Sequence, residues 1–207
     1  MAAIETPPPG PRRHYILAAL ILSAIIVVFY LPQAMRGVSL SEGEGVTYYL
    51  PMRVAVADAW RHGRLPLWNP YIYGGMPLLA DCQAAALYPP NLLYCLLEPL
   101  TATNLIAISG HILAAWGMVR LLRAYGVSAW AAGAGAATFV FSGFMVAHMG
   151  HVTIVNAAVW LPWLCLATHH WCTRGRRRSL VALTWLWALQ FFAGHPQIVL
   201  YLSLIHI

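Results

Sequence analysis

The feature that most constrains this chain is a series of nearly charge-free apolar runs separated by short arginine clusters. Six runs can be read: Tyr15 to Leu31, Leu105 to Leu122, Ala129 to Ala147, Val152 to Thr168, Leu180 to Ala193, and Ile198 onward. Most approach the ~20 residues that a helix needs to cross a bilayer core. Only 9% of the residues are charged, whereas soluble domains carry about a quarter. The expectation is an all-α polytopic membrane protein, with residues 1–14 as a cytoplasmic tail and residues 15–207 in the transmembrane region. The fifth run is short and carries Gln190. It forms either a separate span or one broken helix with the sixth, kinked at Pro196. Pro11-Arg12-Arg13-His14 resembles the start of a signal peptide. The apolar run behind it is longer than a signal core and no A-x-A-like site follows, which favours an uncleaved anchor.

Charge placement sets the expected topology. All twelve basic residues (histidine aside) are arginine, against six acidic residues, for a net charge of +6. A basic balance can mean nucleic acid, but a binding face concentrates its cations, and here they sit in clusters between apolar runs. Arg12 and Arg13 precede the first run, Arg120 and Arg123 close the second, and Arg174, Arg176, Arg177 and Arg178 separate the fourth from the fifth. With one crossing per run, the three clusters share a side, and the positive-inside rule makes it cytoplasmic. The long segment 33–104 and the turns His148–His151 and Gly194–Gln197 then face outward. Because the last run is still apolar at Ile207, the chain reads as a fragment of a longer membrane protein.

Within the long segment, Leu65 to Asn91 is too interrupted by Pro66, Pro70, Gly74, Gly75 and Pro77 to be one helix. It is also too apolar for a disordered linker. A structured loop lying on a membrane surface, with a sugar or lipid site, fits both facts. Trp68, Tyr71, Tyr73, Tyr88 and Tyr94 either anchor it at the interface or offer faces for sugar rings. Asp81 and Gln83 follow an apolar stretch, Leu78-Leu79-Ala80, where a carboxylate needs a partner. Pro51 to His62 reads as an amphipathic interfacial helix. Met52, Val56 and Trp60 lie on one face, and Arg53, Ala57 and Arg61 on another. Its arginines either grip a lipid phosphate or are neutralised by Asp58, which pairs with Arg61 at i, i+3.

Glu42 and Glu44 sit in Ser41-Glu42-Gly43-Glu44-Gly45, soon after the first run. Near a membrane, such a carboxylate serves as a general base if burial raises its pKa; otherwise it belongs to a solvated turn. His148, His151 and His195 occupy outward turns and are either zinc ligands or hydrogen-bonded structural residues. His111, inside the second run, needs a polar partner there. Gly133 and Gly135 suit close helix packing. Cys82 and Cys95 could form a disulfide. Four scattered cysteines without C-x-x-C form no metal motif, and phosphate-loop, dinucleotide and G-x-S-x-G patterns are absent.

One family shares these blocks. The run from Glu44 through Tyr48-Tyr49-Leu50-Pro51-Met52-Arg53, then Gly63-Arg64-Leu65-Pro66-Leu67-Trp68-Asn69-Pro70-Tyr71, Gly74-Gly75-Met76-Pro77, Ala80-Asp81, Gln83 and Tyr88-Pro89-Pro90-Asn91 resembles the YfhO family of bacterial membrane proteins. Phe141-Ser142-Gly143-Phe144, Trp160-Leu161-Pro162-Trp163 and Ala193-Gly194-His195-Pro196-Gln197 extend the likeness over nearly all of the chain after residue 14. The resemblance implies a GT-C-like helix bundle in the bacterial cytoplasmic membrane, with further helices beyond this chain. It also implies sugar transfer on the outer face, from a polyprenyl-phosphate donor to an envelope glycopolymer or lipid, with no cofactor indicated.

A carboxylate in the first outer loop is the implied catalytic residue. Glu44 stands where the family pattern usually has aspartate, which leaves the base open between Glu44 and Asp81. Arg53, Arg61 and Arg64 are the expected contacts for the donor phosphate. Asp58, Trp68, Asn69 and Gln83 are expected to bind substrate, as are His148, His151, His195 and Gln197. A flippase or transporter of lipid-linked glycans is the alternative, as is a non-catalytic envelope assembly factor.

Overall fold

The computed structural model describes residues 10–204, and the proposed tail lies mostly outside that range. The described chain is mostly helical. Among the described residues, four segments are long and apolar enough to cross a membrane: Arg12–Met35, Pro99–Ala124, Ala129–Ala147 and Val152–Arg174. They match the first four apolar runs. The first two are single helices, α1 (Arg12–Met35) and α4 (Pro99–Ala124). The third breaks into α5 (Ala129–Val140) and α6 (Gly143–Ala147), where the Ser142 hydroxyl accepts the Met145 N–H at 3.3 Å and so caps the new helix. The fourth breaks into α7 (Val152–Ala158) and α8 (Leu161–Arg174), with Pro162 in the first turn of α8, where a missing N–H costs nothing. The fifth and sixth runs form α9 (Arg177–Phe192) and α10 (Pro196–Leu204), separated by a turn in which Gly194 has φ +97°. A positive φ there ends α9 instead of bending it, so the two are distinct helices.

The core lies among α1, α4 and α5, with α7 and α8 closing over α4. Small residues bring the backbones close. Ala114, Ala115, Ala132 and Ala136 are fully buried. A side chain at Gly133 would meet Ala18 of α1 at 3.3 Å, while one at Gly135 would meet Leu122 of α4 at 2.7 Å. The two glycines therefore serve different neighbours. A Gly117 side chain would strike the Trp163 indole at 2.6 Å, so Gly117 is what admits that ring against α4.

Hydrogen bonds between distant residues fix which helix ends coincide. At one end the Tyr15 hydroxyl of α1 donates to Val127 O just beyond α4, at 2.7 Å. At the other, Asn104 of α4 accepts from Leu40 N–H at 2.8 Å and donates to Val38 O at 3.0 Å, just beyond α1. Thus α1 and α4 run antiparallel. Arg12, Arg120, Arg123 and Arg174 line one shared cavity, so the arginine clusters meet at a single end of the bundle. The connections at the other end include the whole 36–98 segment.

That segment contains a π-helical turn (Gly45–Tyr49), α2 (Leu50–Arg61), two 3₁₀ turns (Cys82–Ala84 and Pro89–Leu92) and α3 (Leu93–Leu96). It also contains the one departure from an all-α chain among the described residues. β1 (Trp68–Asn69) pairs antiparallel with β2 (Met76–Pro77), Trp68 opposite Pro77 and Asn69 opposite Met76. A Cβ on Gly75 would lie 2.6 Å from the Trp68 indole, so the ribbon closes only over a glycine.

Candidate functional site at the loop end of the bundle

Three connections converge at the end opposite the arginine cavity. The Ser41 hydroxyl donates to Met149 O, and a side chain on Gly150 would meet Glu42 O at 2.8 Å. The segment 41–45 is therefore seated on the 148–151 turn. This contact brings Glu44 to His151, with carboxylate Oε2 at 3.6 Å from Nε2, both partly open to solvent. The His148 and His151 rings lie 5.8 Å apart. His148 Nδ1–H donates to Phe144 O at 2.8 Å, the role left to a nitrogen facing a carbonyl.

The third connection is the Gly194 turn. A Cβ there would fall 2.5 Å from Cys82 O and 3.3 Å from Thr153, so the backbone contact requires glycine. Facing it, Ala85 is buried in the left-handed region at φ +42°, and its carbonyl accepts from the Asn91 amide at 2.9 Å. The turn places His195 near the other histidines. Burial lowers the His195 pKa, and the charges of His151 and His148 lower it further. Its Nδ1 accepts Ile198 N–H at 3.2 Å, the arrangement of a neutral ring with its proton on Nε2. Among the described residues, no group of three or more His, Cys, Asp or Glu side chains is arranged to hold a metal ion.

Beyond the Gly45–Tyr49 turn a cleft of about 700 Å³ opens between α2 and residues 64–72. Its walls are chiefly apolar, with Tyr48, Met52, Pro66 and Trp68 among them, and its charged groups are Asp58 and Arg64. These two pair at 3.3 Å and are exposed. Asp81 sits behind Tyr48, whose hydroxyl pKa is raised by burial and then by the charge of Asp81 and a hydrogen bond to it. Asp81 Oδ1 also accepts Gln83 N–H at 2.9 Å, capping the Cys82–Ala84 turn. Gln83 is half-buried. Asn69 is buried and its Oδ1 accepts Tyr71 N–H at 3.0 Å, a local turn bond. Trp68, Tyr71 and Tyr73 are exposed. Gln197 is exposed and donates to the Tyr201 hydroxyl at 2.6 Å.

The three arginines expected to share one task are separated. Arg53 is fully buried. Its Nη1 donates to Ala84 O, and its Nη2 has no hydrogen-bond partner among the described residues. Burial lowers its pKa to about 10, against smaller upward pulls from Tyr94, Tyr88, Tyr49 and Asp81. Enclosed in this way, it does not reach the cleft. Arg61 donates through Nε to Cys95 O at 2.9 Å and through Nη2 to Tyr94 O at 2.6 Å. The expected Asp58–Arg61 pair is replaced: free carbonyls at the end of α3 draw Arg61 away, and Asp58 pairs with His62 at 3.4 Å and with Arg64. Arg64 alone of the three borders the cleft.

Cys82 and Cys95 are both free thiols. The Cys95 sulfur faces Ala57 O at 3.8 Å. Sequence reasoning missed Ser41, Tyr48 and Asn104, which lock the converging loops. Their polar groups become informative only once the chain is folded, because each acts on a residue that is distant in sequence. No protein-family model matches the chain, and neither a curated protein nor a solved structure gives a significant match.

Proposed function

We propose that this chain belongs to a membrane glycosyltransferase of the GT-C class, acting at the outer face of the bacterial cytoplasmic membrane. Its donor is a polyprenyl-phosphate sugar and its acceptor an envelope glycopolymer or lipid. The observation that carries the reading is the partition of the bundle. Arg12, Arg120, Arg123 and Arg174 gather at one end, and the Glu44–His151 pair and the large cleft lie at the other. By the positive-inside rule the arginine end is cytoplasmic, which turns the carboxylates and the cleft toward the leaflet where an exported lipid-linked sugar resides.

In this mechanism Glu44 takes the proton of the acceptor hydroxyl. The acceptor oxygen attacks the anomeric carbon, the bond to the donor phosphate breaks, and lipid phosphate leaves with the electron pair. Glu44 is preferred to Asp81 as base because Asp81 is already engaged by Tyr48 and by Gln83 N–H. His151 steadies the carboxylate. Arg64 is the cleft's cation for the leaving phosphate, which competes with Asp58 for it. The apolar walls and Trp68 keep water from hydrolysing the donor.

The test is transfer of labelled sugar from a polyprenyl-phosphate donor in membranes carrying the full-length protein. Glu44→Gln is expected to lower turnover by about 100-fold or more, the usual scale for loss of a general base. Arg64→Gln is expected to weaken donor binding more than turnover. Unchanged turnover in Glu44→Gln removes Glu44 from the mechanism, and no transfer by the unmodified protein removes the enzyme. The transporter reading draws on His111 and Gln190, both fully buried, with His111 Nε2 and Gln190 Oε1 lacking partners among the described residues. Movement of labelled lipid between leaflets without sugar transfer would favour it.

A further inference from the structure

The arginine end is more than a marker of orientation. Arg12 from the start of α1, Arg120 and Arg123 from the end of α4, and Arg174 from the end of α8 surround a cavity of about 500 Å³ together with His170. Arg174, Arg176 and Arg178 line an adjoining space. Among the described residues none of these arginines pairs with a carboxylate, since the ion pairs all involve Asp58 or Glu44. Two guanidiniums are held in place by aromatic faces: Arg120 lies 5.3 Å from the Trp163 ring centre, and Arg123 lies 5.2 Å from that of Tyr15. Like charges fixed around one cavity repel one another and concentrate anions there.

A second, apolar groove of about 190 Å³ shares Arg12, Arg120 and Arg123 with the cavity and continues between α1 and α4 along Ile16, Ala19, Trp116 and Val119. We propose that the cavity and this groove together bind one anionic phospholipid, with its phosphate among the arginines and an acyl chain in the groove. A zwitterionic lipid would place its ammonium among guanidiniums with no carboxylate among the described residues to receive it, so net-anionic headgroups are selected. A free phosphate could use the cavity but gains nothing from the groove. The proposal requires the helices to cross a membrane and is independent of sugar transfer.

The experiment incorporates the chain into nanodiscs holding equal parts phosphatidylglycerol and phosphatidylcholine with identical acyl chains, then counts retained lipids by native mass spectrometry. Phosphatidylglycerol should be retained about tenfold or more over phosphatidylcholine, from the attraction of several arginines near the surface. Arg120→Gln combined with Arg123→Gln should abolish the preference. Arg36→Glu, which removes the same two units of charge at the loop end, should preserve it. Equal retention of the two lipids by the unmodified chain overturns the proposal, whether or not any variant folds. Equal loss of preference in the Arg120/Arg123 double variant and in Arg36→Glu also overturns it, since net charge alone would then be responsible. Displacement of the lipid by millimolar inorganic phosphate would overturn it in favour of a soluble anion.

Discussion

At the loop end of the molecule, Arg53 and Arg61 give their N–H groups to main-chain carbonyls: Ala84 for Arg53, Tyr94 and Cys95 for Arg61. At the opposite end, Arg12, Arg120, Arg123 and Arg174 face a common cavity, and two of them rest on aromatic rings. The same side chain performs two kinds of work. A guanidinium joined to carbonyls of a neighbouring turn fastens a loop to a helix, and its charge is incidental. A guanidinium left open beside others of like sign acts on what lies outside the protein. Neither the number of arginines nor their spacing distinguishes these cases; the partner does.

The largest effect that can break this distinction is expected at Arg53. Arg53→Ala removes a fully buried side chain and leaves Ala84 O without its donor. A loss of about 2–4 kcal/mol of stability is expected, summing an incompletely refilled cavity and an orphaned buried acceptor. Arg123→Ala should cost about 0.5–1 kcal/mol, the scale of one cation–π contact. Thermal unfolding in one detergent measures both, and equal losses at the two positions would erase the distinction.

A smaller effect tests how the loop end is assembled. Gly194→Ala sets a side chain in the left-handed region and against Cys82 O. It should cost roughly 1–3 kcal/mol through strain and forced separation. Because that separation loosens the Cys82–Ala85 turn, Cys82 should react faster with a thiol reagent, while Cys172 at the far end of α8 should not change. A Cys82 rate unchanged by Gly194→Ala would show that the Gly194 contact does not hold the turn.

The smallest effect concerns Glu98, which caps α4 by accepting Leu100 N–H at 3.0 Å and Thr101 N–H at 2.9 Å. Those bonds hold its carboxyl below the ordinary value of 4.5. The folded protein therefore binds fewer protons there than the unfolded chain. The stabilisation is complete above that ordinary value and disappears as pH falls through the lowered one. Glu98→Ala should cost about 1 kcal/mol at neutral pH, as helix caps do. The deficit should shrink on acidification, and a pH-independent deficit would assign the cap no charge.

Much of the bundle was legible in the sequence. The first four apolar runs became spanning-length helices because their length and lack of charge leave few alternatives. The fate of the fifth and sixth runs depended on Gly194, whose positive φ separates α9 from α10. The 65–91 segment reads correctly as neither helix nor disordered linker, and its two-residue ribbon is too short for any pattern to announce. The Pro51–His62 helix was visible within a residue at each end, but its packing was not. Met52, Arg53, Val56 and Ala57 are all buried, so two faces are covered where an interfacial helix would cover one. This is why Arg53 looked available and is not. The meeting of Glu44 with His151 depends on Ser41 and Gly150, contacts across more than a hundred residues of sequence that local periodicity does not encode.

The central claim is that the cleft and its carboxylates lie across the membrane from the arginine cavity, on the side away from the cytoplasm. Cys82 and Cys172 are both exposed and belong to opposite ends of the molecule, so single-cysteine variants report on it directly. In spheroplasts treated with a membrane-impermeant maleimide, Cys82 is predicted to be labelled at once and Cys172 only after lysis. Labelling of Cys172 with protection of Cys82 would place the cleft in the cytoplasm and contradict the account.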